Sequence, residues 1–193
     1  SKDIGIIGNK IHKIGSLKSA EAKRYIDANG LVVSPGFIDV HAHLDPILRL
    51  SNSESHVRQG VTTSLGGPDG TSPWPIGEFL DTLNQIGVGM NVAYLVGHNT
   101  VRRNVMGLEN RAPTKEELNE MKNQISDGMD DGAYGISTGL KYLPGSFSKV
   151  EEVIELSKKA SEKGGVYTSH LREEGLGVIE SVNEAIQISR DAH

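Results

Sequence analysis

The chain has 193 residues, 36% of them hydrophobic and 23% charged, with a formal net charge of −5. Charges of both signs are interspersed without a basic stripe, which argues against a nucleic-acid partner, and no apolar run is long enough to span a bilayer. There is no cysteine, so disulfides and thiolate metal sites are excluded.

Residues 1–34 read as short strands and turns forming a small β-rich domain. Ile4-Gly5-Ile6-Ile7 is apolar, Gly8-Asn9 signals a turn, and Lys10 to Ile14 alternates. Two further strands are expected at Arg24–Asp27 and Gly30–Val33. His12 falls on the polar side of its strand and is expected to face solvent.

From residue 35 to 193 strands alternate with helices. The strand candidates are Phe37–His41, Val61–Leu65, Asn91–Val96, Ala133–Ser137 and Gly165–Ser169. They are short and apolar, as strands buried on both faces should be. Helices are expected at Ile76–Gln85, Thr114–Met129, Ser148–Lys163 and Leu176–Ser189, the second and third opening with capping boxes at Thr114-Lys-Glu-Glu117 and Ser148-Lys-Val-Glu151. Such alternation implies a parallel sheet. No Gly-x-Gly-x-x-Gly follows the first strand, which disfavours a dinucleotide fold. Polar residues cluster instead at the C-terminal ends of successive strands, the arrangement of a barrel enzyme.

His41 and His43 are two residues apart at the end of an apolar run, so on a strand both imidazoles point to one face. His170 ends another strand, and three such histidines suit Zn²⁺ or a similar metal. Asp69, in Pro68-Asp69-Gly70, fits both an oxygen ligand and an ordinary turn residue. Lys141 fits a loop lysine or, once carboxylated, a ligand bridging two ions. His98 could orient a substrate, and Arg102 could bind a substrate carboxylate bidentately. Asp45 could support a ligand histidine, and Trp74, between two prolines, reads as a packed loop anchor.

The run from Pro35 to Asp45 (PGFIDVHAHLD), followed by Gly60 to Thr63 (GVTT), resembles the opening signature of the amidohydrolase superfamily. Within it, Val96–Arg102 (VGHNTVR), Gly135–Gly139 (GISTG) and Thr168–Gly175 (TSHLREEG) resemble the D-aminoacylase, or N-acyl-D-amino-acid deacylase, family. The resemblance implies a metal-dependent (β/α)₈ hydrolase barrel, here about five strand–helix units of it, attached to part of a small β-sandwich. It implies His41, His43 and His170 as ligands of one or two zinc ions, and Tyr142 as the holder of the substrate carboxylate, helped by His98, Arg102 or Arg172. Arg172 could equally pair with Glu173 or Glu174.

Two departures from the family pattern matter. D-aminoacylases carry a bridging cysteine where Asp69 stands. Related dihydroorotases and hydantoinases carry a carboxylated bridging lysine where Lys141 stands. Lys141 is therefore the expected bridge and Asp69 the second candidate. The family's remaining His ligand and its catalytic Asp belong to later strands, expected beyond residue 193; His193 follows a helix and is not expected to replace them.

The implied reaction is hydrolysis of an N-acyl-D-amino acid by metal-activated water. Hydrolysis of a cyclic amide or an isoaspartyl dipeptide is the close alternative, and an inactive barrel portion completed by another polypeptide is the alternative of a different kind. The expected partner is a small-molecule N-acyl amino acid, with self-association through an open barrel edge. The cytoplasm is favoured as the compartment, with a periplasmic or secreted location left open by an N-terminus expected to be truncated.

Overall fold

The computed structural model describes residues 2–192, so His193 lies outside the described residues. The chain divides into two compact units, Ser1–Pro35 and Gly36–His193.

In the first unit, β1 (Asp3–Ile7) and β2 (Lys10–Gly15) form the expected antiparallel hairpin, turning at Gly8 with φ 62°. His12 is exposed, as expected. The strands expected at Arg24–Asp27 and Gly30–Val33 do not form. Local bonds take their place: the Tyr25 hydroxyl donates to Ala20 O and accepts the Ala22 N–H, and Asp27 accepts the Asn29 N–H. Side chains that bond nearby backbone compete in this way with a ladder.

The second unit is α/β, with parallel strands in chain order. β3 (Phe37–Asp39) is followed by α1 (Glu54–Val57), β4 (Val61–Gly66), α2 (Ile76–Ile86), β5 (Asn91–Tyr94) and β6 (Val96–Gly97). Then come α3 (His98–Met106), α4 (Lys115–Asp130), β7 (Gly135–Gly139), α5 (Val150–Ser161), β8 (Val166–His170) and α6 (Val178–Asp191). The strands make two three-stranded sheets, β3-β4-β5 and β6-β7-β8. The expected strand Asn91–Val96 is split because it changes partner at Leu95. The Leu95 N–H still donates to Gly66 O at the end of β4, whereas Tyr94 O already accepts the Tyr134 N–H leading into β7.

The core lies between strands and helices, with Ile76, Leu83, Tyr94, Val96, Val101, Met121, Ile125, Ile136 and Leu156 buried. Trp74 packs against it, as expected of a loop anchor. Helix α4 comes so close that a Cβ on Gly128 would stand 2.6 Å from Val96 Cγ2. Central β7 is buried along its whole length, but Phe37, Ile38 and Val40 at β3 are 58–68% exposed. The expectation of strands buried on both faces therefore fails at β3, the outermost strand of its sheet.

The Thr114 capping box forms: its side chain accepts the Glu117 N–H at 3.2 Å, and Glu117 accepts the Thr114 N–H at 2.7 Å. The box expected at Ser148 does not. That hydroxyl donates to Gly145 O at 2.6 Å, so α5 begins at Val150 without a side-chain cap. Helix α3 lacks a sequence signal because its buried face carries His98, Asn99 and Arg102 alongside Val101 and Met106.

Candidate metal centre

Two loops after strands and the C-terminal end of a third strand build the site. After β3, Asp39 Oδ1 accepts the His41 N–H at 3.0 Å and the Ala42 N–H donates to Leu65 O at 3.1 Å. Ala42 is buried while His41 and His43 are exposed on either side of it. Their rings meet edge to face, with centroids 5.5 Å apart. After β4 the chain makes the turn Gly67–Gly70, in which Gly67, Asp69 and Gly70 have φ of 72°, 57° and 76°. Asp tolerates the left-handed region better than most residues with a side chain. His170 is the last residue of β8 itself.

The Asp69 carboxylate is where these loops meet. Its Oδ2 lies 3.0 Å from His43 Nε2 and 3.4 Å from His41 Nε2, and its Oδ1 lies 3.5 Å from His170 Nδ1. His41, His43 and Asp69 each offer a ligand atom, and these atoms lie within 4.8 Å of one another. Asp69 Oδ1 is buried and has no hydrogen-bond partner among the described residues. An unsatisfied buried carboxylate oxygen is costly. A cation ligated by imidazole nitrogen and carboxylate oxygen would satisfy it, and that donor set suits zinc. Asp69 is thus both a turn residue and a ligand candidate.

Lys141, the expected bridge, is arranged otherwise. Its Nζ lies 2.8 Å from Glu174 Oε2, and that bond holds the ammonium charged by raising its pKa. The other Glu174 oxygen lies 3.0 Å from His170 Nε2. In this arrangement the Lys141 amine is directed at Glu174 rather than at the imidazoles. Asp69, the second candidate, occupies the place among the histidines. Tyr142 is beside them, its hydroxyl 3.4 Å from both His170 ring nitrogens and its ring centroid 4.6 Å from that imidazole.

A cavity of about 570 Å³ opens next to the cluster, lined among others by His43, Asp69, Tyr142, Phe79 and Tyr94. Asp45 is on its wall. Burial first, and the Asp45 charge second, push the Tyr94 hydroxyl up.

Two expected substrate ligands are elsewhere. His98 and Arg102 are fully buried, with His98 Nε2 2.9 Å from Glu152 Oε1 and Arg102 Nη1 donating to Glu152 Oε2 at 2.5 Å. Arg102 Nη2 also donates to Arg111 O at 2.6 Å. Burial alone would raise the Glu152 carboxyl, but its bonds from His98 and Arg102 outweigh that and hold it below the usual range. These side chains close on one another inside the fold and offer no face to a substrate. Arg172 pairs with Glu184, at 2.8 Å, rather than with Glu173 or Glu174, and also donates to Ser146 O and Ser148 O. Sequence reasoning missed Glu152. Its signal was a carboxylate in register with Leu156 and Ala160 on the buried stripe of α5.

The family model described as the amidohydrolase family matches residues 24–193. A D-aminoacylase from Alcaligenes xylosoxydans xylosoxydans is 36% identical, over 98% of this chain and 44% of its own length. An N-acyl-D-glutamate deacylase from the same organism is 34% identical, over 97% of this chain and 43% of its own. Among solved structures, a D-aminoacylase with a binuclear metal centre superposes with a TM-score of 0.92 at 33% identity, covering 99% of this chain and 45% of that one. An N-acyl-D-glutamate deacylase from Bordetella bronchiseptica, complexed with zinc and a phosphonate mimic of the tetrahedral intermediate, superposes at 0.90 with 32% identity. The chain spans less than half the length of these relatives.

Proposed function

The chain belongs to the amidohydrolase family, and from that premise we propose that it carries part of the zinc site of a hydrolase that deacylates N-acyl-D-amino acids. The parallel units of Gly36–His193 are, in this reading, the opening part of a (β/α)₈ barrel. The observation that carries the proposal is the single Asp69 carboxylate lying within 3.5 Å of the imidazoles of His41, His43 and His170.

His41, His43 and His170 would hold the ion through ring nitrogens, and the Asp69 carboxylate would balance its charge. Zinc, when bound, supplies Lewis-acid polarisation of a carbonyl and acidifies water. Tyr142, exposed beside His170, donates its hydroxyl to the substrate carboxylate and so orients the acyl carbonyl toward the cluster. The wall of Phe79 and Tyr94 receives the apolar part of the substrate and limits the access of water to it.

The test is a substrate comparison on the intact, zinc-loaded protein. N-acetyl-D-amino acids should be hydrolysed, and N-acetyl-L-amino acids, dihydroorotate and hydantoin should be turned over far more slowly. Absence of turnover in the D series would sink the proposal. Preference for the cyclic amides would replace it with the dihydroorotase-like reading.

A further inference from the structure

Ser137 lies in the middle of β7 with its side chain fully buried. Its hydroxyl makes two bonds to one turn: it donates to Gly67 O at 2.6 Å and accepts the Gly70 N–H at 3.1 Å. Gly67 and Gly70 are the two ends of the turn that carries Asp69, and every residue of that turn except Pro68 has a positive φ. Local preference does not hold a chain there when one of the residues bears a side chain, so tertiary contacts must.

Strand β7 presses on the turn directly. A Cβ on Gly139 would stand 2.1 Å from the Asp69 carbonyl oxygen. The end of the turn and the loop after it are also tied to α3, where the Thr100 N–H donates to Gly70 O at 3.2 Å and Thr100 Oγ1 accepts the Ser72 N–H at 3.0 Å. The Thr71 N–H, just past the turn, donates to Pro68 O at 3.2 Å, and Ser137 joins the two ends by bonding the first carbonyl and the last N–H.

We infer that Ser137 is a positioning residue for the metal centre: its hydroxyl holds the turn Gly67–Gly70 in the conformation that aims the Asp69 carboxylate at His41, His43 and His170. This rests on the reading of those four residues as a zinc site. Ser137 acts through Asp69, as residues that orient metal ligands do.

The test measures zinc affinity of the intact protein by competition with a chromophoric chelator, so its readout is independent of turnover. Ser137→Ala should weaken zinc binding on the order of 10- to 100-fold. Ser64→Ala removes an equally buried hydroxyl, one that bonds Met90 Sδ, and should cost stability while leaving zinc affinity unchanged. In an Asp69→Asn background, Ser137→Ala should cause no further loss of affinity.

Wild-type affinity in Ser137→Ala overturns the inference and leaves the zinc site standing. Additive losses in the double variant overturn it too, because the hydroxyl would then act by another route. Failure of the wild-type protein to bind zinc overturns the zinc-site reading and this inference with it. Should Ser137→Ala not fold, Ser137→Cys keeps the shape and weakens both bonds. It should lose about tenfold in affinity, and wild-type affinity there overturns the inference.

Discussion

Asp69 Oδ1 lies 3.5 Å from His170 Nδ1 and, although buried, accepts no hydrogen bond among the described residues. The oxygen therefore gains most from a cation held between itself and the imidazoles. Asp69→Ala should reduce zinc affinity by about 100-fold, because it removes the carboxylate that, among the described residues, links His43 to His170. Asp69→Cys should retain zinc, since a thiolate is a strong zinc ligand. Zinc content after dialysis, measured by atomic emission, checks both; full occupancy in the alanine variant would contradict the arrangement.

Tyr142 has its hydroxyl at the cluster and bonds only loosely to His170, at 3.4 Å. Tyr142→Phe should raise KM for N-acyl-D-amino acids by about tenfold, the value of a hydrogen bond to a charged group, with little change in kcat. Substrate analogues lacking the carboxylate should be insensitive to the change, and zinc content should stay at the wild-type level. Steady-state kinetics on both substrate sets separates the outcomes.

Glu152 holds both His98 and Arg102 in the buried interior. Glu152→Gln leaves the Arg102 charge buried and uncompensated, at a cost of about 3–5 kcal/mol. Urea denaturation followed by the fluorescence of Trp74, the sole tryptophan, measures it. The pH dependence follows the depressed carboxyl. Its stabilisation is present above the ordinary carboxylate pKa and is lost as pH falls through the lowered folded value.

Glu155 ties α4 to α5, accepting from Lys122 Nζ at 2.5 Å and Lys158 Nζ at 2.8 Å. Those two ammonium groups push its carboxyl down to about 2 from an ordinary 4.5. Because the folded value is the lower one, the contribution is complete above about 4.5 and disappears as pH falls toward about 2. Lys122→Met should move the Glu155 titration, followed by carboxyl carbon NMR, back toward the ordinary value and narrow that window.

The alternation of apolar runs with helical stripes was enough to place the parallel strands, because buried strands and amphipathic helices write their periods into the chain. The same holds for His170, which ends β8; His41 and His43 lie past the end of β3, which stops at Asp39 short of the expected His41, and are held there by the Ala42 N–H bond to Leu65 O. Alternation could not foresee that Asn91–Val96 changes partner at Leu95, because pairing depends on two other strands. Nor could it reveal α3, whose buried face is polar and finds its counter-charge in Glu152, about fifty positions away.

Composition and spacing by themselves determined an α/β chain with three histidines at strand ends and a Pro-Asp-Gly turn nearby. The sequence left both Asp69 and Lys141 as candidates, and only the tertiary structure shows what surrounds each of them. A carboxylate and an ammonium both fit a loop at a strand mouth. The folded chain brings Glu174 to Lys141 and brings three imidazoles to Asp69, and electrostatic energy depends on those distances rather than on sequence separation.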